Sequence, residues 1–137
     1  MLSANRLYQI VSKSYYMTPA SPPEFQYVCS AADLQLGKSR RVIIGETAVA
    51  LFRLEEGCYA IEDTCSHQGA SLAFGDLQEN VVSCPRHGAM FDVRTGRVLS
   101  LPALHGVRSY PVRVTADGIF VGTKPSSDLL PDLLRLP

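Results

Sequence analysis

Two short Cys/His pairs constrain this chain more than any other feature. Cys65-x-His67 and Cys84-x-x-His87 are separated by sixteen residues, and each is closely followed by a glycine, Gly69 and Gly88. Together they use two of the four cysteines and two of the three histidines. Both pairs lie in turn-forming sequence at the ends of apolar runs. Pro85 removes an amide donor and fixes φ, while the glycines allow tight turns with backbone close to a ligand. Two such loops facing each other would offer two thiolates and two imidazoles around one shared point.

The flanking sequence predicts strands. "FQYVCS" (25–30), "RRVIIG" (40–45), "TAVALFRL" (47–54) and "CYAIED" (58–63) are rich in β-branched and aromatic residues and are separated by turn material such as Leu36-Gly37-Lys38 and Glu55-Glu56-Gly57. This spacing fits an antiparallel meander. Val49 and Leu51 alternate with Ala50 and Phe52, which places Phe52 and Leu54 on one face. "ENVVSC" (79–84) and "AMFDVRTGRVLS" (89–100) read as further strand pairs, the second turning at Arg94-Thr95-Gly96. "VRSYPVRVTADGIFVG" (107–122) reads as a final hairpin closed by Asp117-Gly118, with Pro111 at an edge or a bulge. "SAADL" (30–34) predicts one helical turn capped by Ser30. The expected fold is an all-β sandwich or small barrel.

Composition sets outer limits. A chain of 137 residues with 46% hydrophobic content supports a single domain with one core. The formal net charge is zero, so no basic surface for nucleic acid is expected. No run approaches the ~20 apolar residues that span a bilayer. Residues 1–24 hold four serines, Arg6 and Lys13, with no acidic residue before Glu24. They are expected to be a poorly ordered extension ending at the Pro-rich "TPASPPE" (18–24) and not an export signal. Residues 123–137 form a leucine-rich tail, expected to pack on the domain. Four dispersed cysteines do not make a disulfide scaffold, and a reducing, cytoplasmic location fits them.

Three chemistries are open to the four paired residues. The thiols could be small buried hydrophobes beside incidental histidines, although two matched pairs argue against coincidence. They could hold structural zinc, but zinc ligands are usually grouped as a cysteine pair followed by a histidine pair, and small zinc domains lack so much surrounding β-structure. The third is a [2Fe–2S] cluster in which one iron takes both cysteines and the other both histidines. That chemistry gives the interleaving a reason, because each loop then reaches both irons.

C-x-H-x₁₆-C-x₂-H, with the adjoining "HQGASL" and "CPRHGAMFD", resembles the Rieske-type ferredoxins, above all the soluble ferredoxins of aromatic-ring-hydroxylating dioxygenase systems. The resemblance spans about residues 25–122, including "VALFRLEEGCYAIEDTCSHQGASLAFGDL" and "FDVRTGRV". It implies a β-sandwich base and an inserted cluster-binding subdomain of about residues 62–103. It also implies one Rieske [2Fe–2S] cluster, with Cys65 and Cys84 on the inner iron and His67 and His87 on the outer one. Leu101-Pro102-Ala103 falls where the family has a proline-containing loop over the cluster. His105 is not in a ligand position, and Cys29 and Cys58 are expected to be buried thiols.

The same resemblance implies function. Histidine ligation makes the oxidised cluster neutral, which raises its potential above that of four-cysteine clusters and into a range of about −150 to +300 mV. High-potential respiratory members carry a serine and a tyrosine where this chain has Ala89 and Phe91, and a disulfide where it has Ala70 and Arg86. None of these four residues can play the corresponding part, so a potential at the low end is expected. An oxygenase would need a second iron on two histidines and a carboxylate, for which only His105 remains. With no G-x-G-x-x-G for a dinucleotide and no catalytic residue, the expected role is one-electron carriage by a monomer. The carrier would pass electrons from an NAD(P)H-dependent reductase to a terminal oxygenase. The alternative is a small subunit of a nitrite-reductase-like or other multi-subunit oxidoreductase.

Overall fold

The computed structural model describes residues 24–67 and 69–126. The extension and the tail expected at the termini lie outside these residues, apart from Glu24 and 123–126. Strands β1 (Phe25–Cys29), β10 (Gly118–Gly122) and β9 (Val112–Thr115) form one sheet in that order. β2 (Ser39–Ile44), β3 (Thr47–Leu54), β4 (Gly57–Glu62) and β8 (Ser109–Tyr110) form a second. β5 (Asp76–Gln78), β6 (Val81–Ser83) and β7 (Met90–Asp92) form a third, smaller one. Every pairing between these strands is antiparallel, as the meander pattern predicts.

The middle sheet is covered on both faces, and β3 shows why its sequence is almost wholly apolar. Val49 and Leu51 enter one core with Cys29, Leu34, Ile119 and Val121. Ala50, Phe52 and Leu54 enter another with Leu72, Val82, Phe91 and Val98. A period of two thus feeds two cores from one strand. The expected alternation holds, and both of its sets are buried.

β8 pairs with β4 through Ala60–Tyr110 and Ile61–Ser109. The third sheet and both Cys/His loops are therefore inserted in sequence between two neighbouring strands of the middle sheet. Pro111 ends β8, and the chain crosses at that point to β9 in the first sheet. Both strands are edges, where the missing N–H of proline costs no ladder bond.

Local details depart from the sequence reading in four places. β5 is absent from it, because Leu77 is the only apolar residue of that strand and its pairing with β6 makes it a strand. Glu79 and Asn80 form the β5–β6 turn between paired Gln78 and Val81, with Glu79 at φ 55°, and are not part of the following strand. After the Arg94–Gly96 turn only the Phe91–Val98 bridge forms, so the second arm is not a full strand. The helical turn is a 3-10 turn over Ala31–Asp33, and the Ser30 side chain makes no capping bond.

The turn at Gly96 depends on having no side chain. Its φ is 82°, and a Cβ there would lie 1.9 Å from the Val107 carbonyl oxygen. Val107 N–H donates to Gly96 O at 2.8 Å across that approach. This clamps the β7 turn to the segment that returns into β8.

Candidate metal centre

The two Cys/His loops fold alike. In the first, Cys65 N–H donates to Ala70 O at 2.8 Å and Gly69 N–H to Cys65 O at 2.9 Å. In the second, Cys84 N–H donates to Ala89 O at 2.7 Å and Gly88 N–H to Cys84 O at 3.0 Å. Gly69 and Gly88 have φ of 73° and 76°, the left-handed conformation that closes each turn. The Thr64–Ser71 bridge closes the mouth of the first loop, and the Ser83–Met90 pair of β6 and β7 closes the second.

This shared turn separates the four side chains by depth. Cys65 and Cys84 are 2% and 3% exposed and lie in one apolar cluster with Leu72, Ala89, Phe91 and Ala103. His67 and His87 are exposed, and their rings meet edge to face with centroids 5.7 Å apart at 75°. Histidine follows cysteine by two residues in one loop and by three in the other. The thiols therefore lie inward and the imidazoles outward.

The donor set fits a diiron cluster by its chemistry, since each loop supplies one thiol and one imidazole. A tetrahedral zinc site needs four donors at one point. A [2Fe–2S] cluster with mixed ligation takes two protein donors per iron, thiolates at one and imidazoles at the other. Two buried thiols behind two adjacent imidazoles fit that group.

A third segment joins the loops. Leu99 N–H donates to Met90 O at 2.7 Å, and Ser100 Oγ accepts Met90 N–H at 3.0 Å. Ser66 Oγ donates to His105 O at 2.5 Å. Residues 99–105 thus run from the second loop to the first, with Ala103 buried and Leu101 65% exposed. His105 stays exposed and meets the first loop through its backbone oxygen.

The other two cysteines lie elsewhere. Cys29 is buried, and Cys58 is only partly so, which corrects the expectation that both are buried. Burial pushes both thiol pKa values up, against the opposing pull of Arg40 on Cys29 and of Arg53 on Cys58.

Sequence reading missed Asp63, the buried charged residue among the described ones. Its only sequence signal is an acidic residue two positions before Cys65, and no periodicity marks it. The pair Ser66 and Ser100 was missed too, since both act across long loops.

The Rieske [2Fe-2S] domain profile matches residues 24–111. The 3-phenylpropionate/cinnamic acid dioxygenase ferredoxin subunit of Escherichia coli (strain K12) is 40% identical over 96 residues, covering 69% of this chain and 90% of that protein. A solved complex of reduced oxygenase and oxidised ferredoxin in carbazole 1,9a-dioxygenase contains a chain that aligns with TM-score 0.71 and 36% identity, covering 76% of this chain and 97% of that one. A putative NADH-dependent nitrite reductase small subunit from Mycobacterium tuberculosis aligns with TM-score 0.67 and 27% identity, covering 74% and 96%. Motif, paired loops and these likenesses together make this chain a member of the Rieske [2Fe–2S] domain family, an electron-transfer protein whose cofactor is a Rieske [2Fe–2S] cluster.

Proposed function

We propose that Cys65 and Cys84 hold the inner iron of the cluster, that His67 and His87 hold the outer one, and that the chain carries single electrons from an NAD(P)H-dependent reductase to a terminal oxygenase. The bound cluster would supply a one-electron couple and nothing else. The observation that carries this reading is the depth order of the four side chains, two thiols sealed in the core and two imidazoles meeting at the surface. Residues 62–103 then serve as the cluster-binding part and the first two sheets as its base.

The protein's own residues have three tasks in this scheme. The paired turns aim the sulfur atoms inward, and the apolar wall of Leu72, Phe91 and Ala103 keeps water from that side. The imidazoles lie outermost, on the side where a partner must approach. Leu99, Leu101 and Leu104 are exposed on the segment that joins the two loops, and Met90 is exposed just after the second loop. A rim of this kind suits transient docking, where weak association with fast release serves turnover.

Kinship with a dioxygenase ferredoxin subunit and likeness to a ferredoxin seen with its oxygenase support the terminal oxygenase as acceptor. The likeness to a nitrite reductase small subunit supports a second reading, a tightly held subunit of a larger oxidoreductase. Aerobic purification of the full chain tests both. A red-brown monomer with the EPR signature of mixed nitrogen and sulfur ligation, reduced by an NAD(P)H-dependent ferredoxin reductase and reoxidised by an oxygenase, is the expected result. Stable co-purification with a large partner would favour the second reading, and a colourless zinc protein would end both.

A further inference from the structure

We propose that Asp63 and Arg41 form an oriented charge pair that positions the first Cys/His loop and holds the reduction potential of the cluster down. The inference rests on the ligand assignment made above. Asp63 is 2% exposed and stands two residues before Cys65. Its Oδ2 accepts Arg41 Nε at 3.1 Å from β2. Its Oδ1 accepts Ser71 Oγ at 2.8 Å and Ala73 N–H at 2.9 Å. The Asp63 backbone donates to Ala48 O at 3.0 Å and accepts Leu72 N–H at 2.7 Å. A single residue thereby ties both ends of the Cys65 loop to β2 and β3.

The turn does not need a carboxylate to form. The Cys84 loop makes the same backbone bonds, and the residue two before its cysteine is Val82, fully buried and apolar. Nor does stability require one, because replacing a buried ion pair with apolar packing is often neutral or favourable. What the first loop has and the second lacks is a buried carboxylate at its foot.

That charge is polarised. The Asp63 side chain is 3% exposed and the Arg41 side chain 46%, so water screens the guanidinium far more than the carboxylate. The negative end of the pair is therefore the buried one, and it belongs to a residue two positions from Cys65 in the chain. Adding an electron to the cluster makes it more negative, and a fixed negative charge close by opposes that step. Net charge around a cluster is one of the factors that set its potential. Asp63 would act through the loop and its field, as a positioning residue and not a ligand.

The test is midpoint potential by voltammetry on full-length wild type, Arg41→Gln, Arg41→Lys and Asp63→Asn, with visible and EPR spectra of the same samples. Arg41→Gln leaves the carboxylate uncompensated and should lower the potential. Arg41→Lys keeps the charge and should restore it. Asp63→Asn removes the negative end and should raise it, opposite in sign to Arg41→Gln. A purely mechanical clasp would reduce cluster content in both variants while leaving the potential of the loaded fraction unmoved or shifted in one common direction, and either result overturns the proposal. Should Asp63→Asn fail to fold, equal potentials for Arg41→Gln and Arg41→Lys would overturn it alone. Loss of the Rieske signature in the wild type would instead sink the ligand assignment, while an intact signature with unmoved potentials sinks only this inference.

Discussion

The rings of His67 and His87 meet edge to face at 5.7 Å on the protein surface, while Cys65 and Cys84 of the same two loops are buried. The interleaved order of the two pairs in the sequence is what lets two like-folded loops deliver this layered set. If the imidazoles hold the outer iron, His67→Cys replaces a neutral donor with a thiolate and makes the cluster more negative. The reduced-state EPR should move toward that of a four-cysteine cluster, and the potential should fall. Unchanged spectra would remove His67 from the site.

Ala89 and Phe91 allow the potential to be tested from the other direction. Both are buried, at 1% and 0% exposure, in the cluster of side chains that contains the two thiols. A hydroxyl placed there must find an acceptor or cost about 1–3 kcal/mol. With the cluster bound, its sulfur would be the acceptor. Ala89→Ser with Phe91→Tyr should raise the potential and keep the fold, as voltammetry and thermal unfolding would show.

The exposed leucines beside the site should govern docking. Leu101→Asp and Leu104→Asp leave the turns and the core untouched. Each should slow electron transfer to the acceptor roughly tenfold, the size of a moderate interface hot spot. The potential should stay unchanged. Stopped-flow reoxidation against acceptor concentration would measure this, and unaltered rates would move the docking surface elsewhere.

Gly96→Ala should damage the inserted part of the fold. The added carbon meets the Val107 carbonyl at 1.9 Å, and φ of 82° by itself costs a non-glycine residue about 1–3 kcal/mol. Gly37→Ala is the control, since φ is 75° there but no atom lies within 4 Å. Denaturant melts should show a clearly larger loss for Gly96→Ala.

Acid should loosen the β7 turn. Burial pushes the Asp92 carboxyl pKa up, but hydrogen bonds from the Arg94 side chain and backbone and from Asn80 outweigh it, leaving the group below its ordinary value. A depressed folded-state value stabilises the protein above the unfolded value of about 3.9 and is lost as pH falls through the folded one. Asp92→Asn should therefore be less stable than wild type at neutral pH, with the difference shrinking as pH falls below about 4. A gap independent of pH would show that Asp92 acts through shape alone.

Local patterns carried much of this protein. Strand β3 appears at its full length because an almost wholly apolar run has few other ways to bury itself. The four proposed ligands were legible because cysteine and histidine are rare and their spacing beside glycine is tied to one kind of turn. β5 was illegible because one leucine between polar residues carries no period, and only pairing with β6 makes it a strand.

By itself, the amino-acid order determined the β-rich pattern, the two glycine-closed turns and the set of donors they carry, since each depends on residues close together along the chain. Only the tertiary structure decided which atoms lie deep and which lie outward, that a segment ending at His105 would bind Ser66, and that Arg41 on one strand would meet Asp63 at the foot of a loop. Those outcomes depend on the packing of distant segments around two cores, and contacts between residues far apart in the chain leave no repeating trace in it.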